Sequence, residues 1–344
     1  MATERLITPT ATRIDEEPAA LSLRPGRLGE YIGQGEVVER LRIALEAALK
    51  RNEPMDHVLL HGPPGLGKTT LAYVVAREMG GTLHTTSGPA LTRGTDLVSV
   101  LTRLQPKDVL FIDEIHRMPI AVEEFIYPAM EDFRIDVRID SGAHARTVQI
   151  ACQPFTLIGA TTRTGLISSP LRSRFGATHH LRFYGEGELL SILQRSSVIL
   201  GISGDDESLA SIARRSRGTP RIANRLLRRV RDYAMVRAGG VITPAVVSDA
   251  LTLEGVDELG LDQLDRDYLR TVAGVYECGP VGLEAVAATM SEDSGTLEDV
   301  VEPFLLQLGF VARTRRGRML TRAGCEHVGA TWREQESTDS ALFE

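Results

Sequence analysis

The sequence predicts three structural units: an α/β domain built on a parallel sheet, a small all-α domain, and a C-terminal winged helix. The sheet is predicted from two mainly apolar runs, residues 109–112 and 155–160, because strands covered on both faces of a parallel sheet lack polar alternation. The all-α unit is predicted from the helical spacing of apolar residues that begins near residue 185. The winged helix is predicted from three helical patterns within residues 262–308 that precede a short basic hairpin.

A phosphate-binding loop lies early in the α/β unit. Residues 62–70 read Gly-Pro-Pro-Gly-Leu-Gly-Lys-Thr-Thr, which matches G-x-x-x-x-G-K-[ST], with an apolar run before it and a helical pattern after it that Gly80 ends. Backbone N–H groups around Gly65 and Gly67 can converge on phosphate oxygens, and the helix N-terminus adds positive potential. We expect Lys68 to contact the β- and γ-phosphates and the Thr69 hydroxyl to hold Mg²⁺. A glycine-rich turn that matched the motif by chance would have no reason to lie between an apolar strand and a helix.

The bulk composition excludes several classes of protein. The chain has 344 residues, 42% of them hydrophobic and 25% charged, which is typical of globular proteins with more than one domain. Its three cysteines, Cys152, Cys278 and Cys325, are far apart, so we expect a reducing cytoplasmic environment without disulfides or a zinc site. No apolar run reaches membrane-spanning length. The net charge of −7 means that any nucleic-acid contact must come from local basic patches.

Polar side chains follow both apolar runs. Asp113 and Glu114 come directly after residues 109–112, and Thr161 and Thr162 follow residues 155–160. An acidic pair alone would more often begin a helix. At the carboxyl end of a buried parallel strand and downstream of a phosphate loop, Asp113 is instead predicted to hold the hydrated Mg²⁺, and Glu114 to orient and deprotonate the attacking water. Either threonine could sense the γ-phosphate or hold that water.

Two further features of the α/β unit have alternative interpretations. Residues 133–140 alternate between apolar and charged side chains and are followed by a turn and a returning strand, which predicts a hairpin. It is either an ordinary edge hairpin or an element that docks a partner. Arg172 and Arg174 lie on one short segment and are either surface residues or, in a ring, candidates to reach the γ-phosphate held by a neighbouring subunit.

The all-α unit is predicted to contain four helices, at residues 187–200, 206–215, 220–238 and 243–251. Arg221 lies at the start of the third, where a cation opposes the helix dipole, and a nucleotide phosphate facing that end would compensate. Most of the other arginines of this helix are expected to face solvent or a neighbouring subunit. They are Arg225, Arg228, Arg229, Arg231 and Arg237.

The C-terminal hairpin is strongly basic. Five arginines occur within ten residues without an intervening acid: Arg313, Arg315, Arg316, Arg318 and Arg322. In an otherwise acidic chain, such a wing predicts contact with the DNA backbone that is largely independent of base sequence. The predicted domain boundaries are a flexible arm at 1–20, the ATPase domain at 21–184, the helical domain at 185–255, the winged-helix head at 256–330 and a disordered tail at 331–344.

Together these motifs make the chain similar to the RuvB family, the Holliday-junction branch-migration motors of the AAA+ superfamily. The resemblance covers residues 23–329. It is carried by the phosphate loop with the preceding Asp-His at 56–57, Asp-Glu-Ile-His-Arg at 113–117, Tyr-Pro-Ala-Met-Glu-Asp at 127–132, Gly-Ala-Thr-Thr-Arg at 159–163, Gly-Thr-Pro-Arg-Ile-Ala-Asn-Arg at 218–225, Gly-Pro-Val-Gly at 279–282 and Arg-Gly-Arg at 316–318.

The resemblance implies an ATP- and Mg²⁺-dependent motor that forms a homohexameric ring around double-stranded DNA. Two rings would flank RuvA on the four-way junction, and RuvC would resolve it. The family pattern implies that nucleotide is bound by Leu23, Arg24, Gly65, Gly67, Lys68, Thr69, Thr70, Glu131, Asp132, Phe133, Thr161, Arg174, Tyr184 and Arg221. Within that pattern Arg174 corresponds to the arginine finger, Arg221 to the sensor of the lid domain, and the hairpin 133–150 to the element that docks RuvA. Arg313 and Arg318 correspond to wing positions that contact DNA, and Arg316 lies between them.

The sequence departs from the family pattern at several positions. His61 replaces an apolar or aromatic residue, Arg315 replaces a proline of the wing, Ser294 stands where a basic residue is common, and the hairpin turn at 141–144 is atypical. None of these changes affects the catalytic set of Lys68, Asp113, Glu114 and Arg174. Two other functions fit the same motifs: a clamp-loader-like or initiator-like switch on DNA that does not translocate continuously, and a protein-remodelling ATPase that does not contact DNA.

Overall fold

A five-stranded parallel sheet forms the centre of the first domain. The computed structural model describes residues 22–138 and 147–332; the predicted arm, the hairpin turn at 141–144 and most of the predicted tail lie outside them. The strands are β1 (Val58–His61), β2 (Leu83–Ser87), β3 (Val109–Asp113), β6 (Thr156–Thr161) and β7 (Ala177–His180), in the order β2–β3–β6–β1–β7. Strand β6 therefore separates the strand before the phosphate loop from the strand that ends in Asp113.

The inner strands have the apolar character predicted for them. Every residue of β6 is buried, as are the first four residues of β3 and the first three of β1. The two edge strands were not indicated by the sequence patterns, because β2 reads Leu-His-Thr-Thr-Ser and β7 reads Ala-Thr-His-His. Their side chains are mostly half-buried, and pairing to the adjacent inner strand compensates for their polar composition.

Helices cover both faces of the sheet. They are Gly35–Arg51, Lys68–Met79, Gly94–Leu101, Ile120–Asp132 and the short Ser169–Ser173, with 3-10 turns at Leu28–Glu30, Gly88–Ala90, Ile115–Arg117 and Thr164–Leu166. The helix after the phosphate loop ends as predicted at Gly80, which adopts a left-handed conformation at φ 74°. His57, just before β1, joins three elements: Leu157 N–H donates to its Nδ1 and its Nε2 lies 3.0 Å from the carbonyl of Met130. Since Nδ1 accepts, Nε2 carries the proton, and burial lowers the pKa of the imidazole.

The predicted hairpin is present in its stems. Strand β4 (Arg134–Arg138) pairs antiparallel with β5 (Thr147–Ala151), with Ile135 opposite Ile150. Ile135 is buried and Arg134 is exposed, in agreement with the predicted alternation. The prediction that Phe133 begins the strand is wrong: it caps the preceding helix in a left-handed conformation (φ 51°) and packs edge-on against Phe155. The helix end therefore sets the direction in which the hairpin leaves the domain.

The all-α unit contains the four predicted helices, Glu186–Leu200, Asp206–Arg214, Pro220–Arg237 and Pro244–Leu253. A two-residue parallel pair, β8 (Ser203–Gly204) with β9 (Val241–Ile242), adds to them. Two of the five arginines that follow Arg221 in helix Pro220–Arg237 do not lie on the surface expected for most of them. Arg225 and Arg228 are 1% and 5% exposed, not solvated, because helix Pro220–Arg237 packs against all three other helices of the unit. Their long aliphatic stems are enclosed in the unit, and Arg228 also lines the cavity between the phosphate loop and this unit.

The C-terminal head is a winged helix with a local irregularity. Its helices are Gln263–Gly274, Leu283–Met290, Ser294–Thr296, Glu302–Gln307 and Arg322–His327, and a π-helical turn, Leu297–Val301, interrupts the predicted third helix. The wing is the antiparallel pair β10 (Val311–Thr314) and β11 (Gly317–Leu320). Three helices before a basic hairpin confirm the predicted fold of this domain.

A buried carboxylate holds the base of the wing. Glu302 is fully buried, and its Oε1 accepts from Tyr268 Oη and from Arg318 Nε, both at 2.9 Å. Its Oε2 accepts from Arg313 Nε at 2.8 Å. Arg313 and Arg318 are cross-strand partners, so one glutamate fixes both strands of the wing to the first helix of the head. Two arginines that the sequence assigned to DNA are thus also structural.

Replacing Glu302 with glutamine should therefore destabilise the head. The buried site would keep its shape but lose the charge that pairs with two guanidinium groups. The free energy of unfolding should fall by about 3 kcal/mol, near the lower end for breaking a buried ion pair, because both arginines remain partly in water. Trp332 is the chain's single tryptophan and packs against the core of the head, so its fluorescence during urea unfolding reports on this domain.

Glu326→Gln is the matched control, since Glu326 pairs with Arg322 on the surface of the same domain. It should shift the Trp332 transition little. Equal midpoints for Glu302→Gln and the unmodified chain would contradict the structural role of Glu302.

Candidate nucleotide site and wing

The phosphate loop has the backbone geometry that anion binding requires. Gly62, Gly65 and Gly67 have φ values of 140°, 82° and 99°, in the region that favours glycine. Gly67 caps helix Lys68–Met79, so the free N–H groups of its first turn face the loop. A Cβ on Gly67 would lie 2.3 Å from Tyr31 Oη, and one on Gly62 would lie 2.4 Å from the carbonyl oxygen of Leu181. Both positions therefore require glycine on steric grounds as well.

Two tyrosines hold the outer side of the loop. Tyr184 Oη donates to the carbonyl of Leu66 at 3.1 Å and lies 3.1 Å from Tyr31 Oη. Burial raises the pKa of Tyr184 to about 12 and that of Tyr31 well above its ordinary value, so both hydroxyls keep their protons. Because the carbonyl of Leu66 is engaged on this side, the loop's N–H groups stay available on the other. The family pattern implied Tyr184 as a nucleotide contact; Tyr31 was not identified from the sequence.

Lys68 lies at the bottom of the loop. Its Nζ donates to the carbonyls of Gly62 at 2.8 Å and Pro63 at 2.9 Å. Burial lowers the pKa of Lys68 to about 8, although the carboxylates of Asp113 and Glu114 act in the opposite direction. The ammonium is thus desolvated and held by neutral acceptors, which is a suitable arrangement for a group that binds polyanionic phosphate.

The acidic pair is adjacent to this loop, as predicted. Asp113 ends β3, and Glu114 follows in a left-handed conformation (φ 45°) that turns its side chain toward the pocket. Glu114 Oε2 accepts from Thr162 Oγ1 at 3.1 Å and lies 3.1 Å from His116 Nδ1. Burial lowers the pKa of His116. Thr162 and His116 therefore restrain the carboxylate that is proposed to act on water.

Thr161, the last residue of β6, and Thr162, which follows it, face different ways. Thr161 is fully buried; its hydroxyl accepts from the N–H of Arg163 at 3.0 Å and lies 2.9 Å from His116 Nδ1. Thr162, the other candidate of the pair, contacts Glu114 directly. A role for Thr161 at the nucleotide remains a prediction, and the geometry supports Thr162 more directly.

A cavity of about 310 Å³ joins the loop to the lid. Most of the residues that the family pattern implied line it: Leu23, Arg24, Gly65, Gly67, Lys68, Thr69, Thr70, Tyr184 and Arg221. Asp113 and Glu114, which were predicted from their position after β3, line it as well. Arg195 was missed by sequence reasoning, because nothing distinguishes it from other helix-surface arginines. It leaves lid helix Glu186–Leu200 and donates to the backbone carbonyl of Leu23 at 2.7 Å, so it fixes the chain segment that forms one wall of the pocket.

Five of the predicted nucleotide residues lie outside this cavity: Thr161, and a group of four that are close to one another. Arg174 Nε is 3.0 Å from Glu131 Oε1, and its guanidinium lies over the ring of Tyr127 at 4.2 Å. Asp132 pairs with Arg134 at 3.1 Å, and Phe133 follows it. This group, Arg174 with 131–133, does not contribute to the pocket of its own chain.

The predicted DNA contacts form the wing. Arg313 and Arg318 are tied to Glu302, and Arg318 also lies 3.7 Å from Glu298. Arg316 is at the exposed turn, where its N–H donates to Thr314 Oγ1 at 3.2 Å. Its side chain is exposed, whereas that of Arg318 is half-buried. No helix in the part of the chain that the structure describes is both long and apolar enough to cross a membrane.

Three family models match consecutive parts of the chain. They are described as the Holliday junction DNA helicase RuvB P-loop domain, at residues 23–181, the RuvB AAA lid domain, at 184–257, and the RuvB C-terminal winged helix domain, at 258–329. A relative from Desulfosudis oleivorans, the Holliday junction branch migration complex subunit RuvB, is 54% identical over 327 residues, which is 95% of each chain. The chain belongs to the RuvB family.

Solved structures agree with this assignment. Thermotoga maritima RuvB, described as a Holliday junction branch migration motor, is 48% identical, with a TM-score of 0.82 over 90% of this chain and 99% of that one. A point mutant of the same protein has a TM-score of 0.83 over 91% and 100%. The ORC2 protein of Aeropyrum pernix, at 16% identity and a TM-score of 0.53, shares the fold alone. As a RuvB-family member, the chain is a nucleotide-binding, DNA-dependent AAA+ ATPase of Holliday-junction branch migration.

The lowered pKa of Lys68 predicts how nucleotide affinity depends on pH. Phosphate beside the ammonium favours its charged form, so binding should take up a proton once the free site has begun to lose it. Affinity should fall as the pH rises through 8 and be about tenfold weaker near pH 9 than near pH 7. Calorimetry in two buffers of different ionisation enthalpy would measure both the affinity and the proton uptake.

Lys68→Arg is the control, because guanidinium does not titrate in this range. Any binding that this variant retains should have a flat pH profile. An unmodified chain whose affinity is the same near pH 7 and near pH 9 would contradict a titrating Lys68.

Proposed function

We propose that the chain works as one subunit of a homohexameric ring that pumps duplex DNA through a Holliday junction by ATP hydrolysis. The observation that carries this proposal is the position of Arg174. Its guanidinium is held beside Glu131 and Tyr127, apart from the pocket that contains Lys68 and Glu114. An arginine finger that cannot serve its own pocket is suited to complete a neighbour's, and closed rings provide one neighbour for every site.

Within each site, the residues have separate tasks. Lys68 and the loop N–H groups bind the phosphates, and Glu114, restrained by Thr162, orients and deprotonates the attacking water. Thr69 and Asp113 both line the pocket and are the oxygen ligands suited to Mg²⁺, which would neutralise charge on the β- and γ-phosphates. Arg174 of the adjacent subunit stabilises charge that develops in transfer. Glu131, Asp132 and Phe133 move with Arg174 and would approach the same neighbouring nucleotide.

The partners of the ring would be RuvA and RuvC. The stems of the hairpin 133–150 pack against the ATPase domain through Ile135 and Ile150, and the exposed Val148 gives β5 an apolar side chain suited to docking RuvA. RuvC would then resolve the junction in the cytoplasm. Arg221, at the start of helix Pro220–Arg237 and in the wall of the pocket, transmits the nucleotide state to the lid.

Mixed rings test whether the site is shared between subunits. Lys68→Ala and Arg174→Ala should each be inactive in ATP turnover. The first variant should not bind ATP, and the second should bind ATP but not transfer the γ-phosphoryl group to water. A mixture of the two should regain activity, because about a quarter of the interfaces in randomly mixed rings join an intact Lys68 to an intact Arg174. Arg172→Ala is the matched control: Arg172 lies two residues before Arg174, in helix Ser169–Ser173, and donates to the carbonyl of Thr164.

Arg172→Ala should retain turnover. A mixture no more active than its two components, or an active Arg174→Ala ring, would contradict the shared site.

The wing predicts a salt-dependent DNA affinity. Arg316→Ala should weaken duplex binding equally for unrelated sequences. It should also lower the magnitude of the slope of log K against log salt by about 1 for each phosphate that the variant no longer neutralises. Alanine at Arg313 or Arg318 is a poorer test, since either change leaves Glu302 short of a partner. Arg270→Ala, an exposed arginine paired with Asp267 on another helix of the head, is the charge-matched control. An affinity that does not depend on salt would contradict DNA binding by the wing and favour a protein-remodelling ATPase.

A further inference from the structure

An exposed ion pair joins the ATPase core to the DNA-binding head. Arg163 immediately follows the two threonines that contact His116 and Glu114, and its guanidinium hydrogen-bonds to the carboxylate of Asp299 in the head. Glu298 lies 3.9 Å from the same guanidinium. Arg163, the residue after Thr162, thus contacts a domain that lies more than 130 residues later in the sequence.

The acidic partners occupy the π-helical turn Leu297–Val301. Leu297 and Val301 are fully buried in the head core, and Glu298 and Asp299 point outward toward Arg163. Such π-helical turns are rare and are found frequently at functional sites. Here the turn carries the two acids that meet the core.

The same acidic turn also contacts the wing. Glu298 Oε1 lies 3.7 Å from Arg318, whose other partner is the buried Glu302. Glu298 is therefore placed between an arginine of the ATPase core and an arginine of the wing. Phosphate at the wing would compete with Glu298 for Arg318 and repel both acids.

The head is attached quite differently to the lid. Arg217, which is 4% exposed, pairs with the fully buried Asp265, donates to the carbonyl of Gly260 at 2.8 Å and lies over the ring of Phe304 at 4.5 Å. A buried cluster of this kind is costly to break. Lid and head should consequently move as one body, whereas the exposed pair of Arg163 with Asp299 can open and close.

We propose that Arg163 and the acidic pair Glu298–Asp299 are positioning residues that couple DNA on the wing to ATP hydrolysis. Nucleotide bound at Arg221 changes the position of the lid, and the head moves with the lid. The contact between Arg163 and the acidic pair then changes at the same time as the contact between Thr162 and Glu114. By reciprocity, phosphate at the wing repels both acids from Arg318 toward Arg163, which tightens the contact with Arg163 and the restraint on Glu114, so the contact acts mainly in the DNA-bound state. This inference rests on the proposed contact between wing and DNA.

Asp299→Ala tests the coupling. The unmodified chain and the variant are compared in ATP turnover without DNA and with saturating duplex. The basal rate and the DNA affinity should stay unchanged, while the stimulation by DNA should fall about twofold to fivefold, the range that one exposed ion pair supports. Asp267→Ala is the matched control, because Asp267 is an exposed acid of the head that pairs within its own helix. The Trp332 unfolding transition verifies that each head is folded.

A charge swap separates coupling from a local effect. Arg163→Glu alone should lose the stimulation, since two acids then repel the new carboxylate, and adding Asp299→Arg should restore most of it. Unchanged stimulation in Asp299→Ala, a basal rate that rises to the stimulated one, or a double variant no better than Arg163→Glu would each overturn the proposal. If the unmodified chain shows no salt-sensitive DNA binding, it is the proposed wing contact that fails instead.

Discussion

The position of strand β6 between β1 and β3 is the constraint on which the site depends. Since β1 leads into the phosphate loop and Glu114 directly follows β3, whatever follows β6 must lie between the group that binds phosphate and the group that acts on water. Thr162 follows β6 and contacts Glu114. Arg163 is the next residue and leaves the core for the head. The order of strands thereby places the phosphate loop, the carboxylate that acts on water and the link to the DNA-binding domain side by side at the carboxyl ends of the strands.

The ion pairs within and between the three domains differ in burial and therefore in strength. Arg217 with Asp265 is enclosed and holds head to lid, and Glu302 is enclosed and holds the wing to the head. The ties that would need to change during a cycle are the exposed ones: Arg174 with Glu131 at 23% and 53% exposure, and Arg163 with Asp299 at 44% and 56%. Charged pairs in water separate at little cost, so they suit contacts that are exchanged between states, whereas buried pairs suit joints that must stay closed.

Much of this arrangement could be predicted from sequence because it depends on local patterns. The loop 62–70, the acids after β3 and the basic hairpin each combine residue types with a fixed spacing, and all appear where the patterns placed them. Edge strands β2 and β7 gave no such pattern, since their composition is polar. The burial of Arg225 and Arg228, the role of Glu302 and the contact of Arg163 with Asp299 depend on how separate segments pack, which neither periodicity nor charge counts reveal.

The most direct test of the account is ATP-dependent movement of a synthetic four-way junction by this chain with its cognate RuvA. A motor whose hydrolysis sites are coupled to a DNA-holding wing should exchange the arms when ATP, junction and RuvA are all present, and should not do so when RuvA is omitted at limiting protein or when Lys68 is alanine. ATP turnover stimulated by the junction but without any exchange of arms would contradict the motor and favour a loader-like or initiator-like switch.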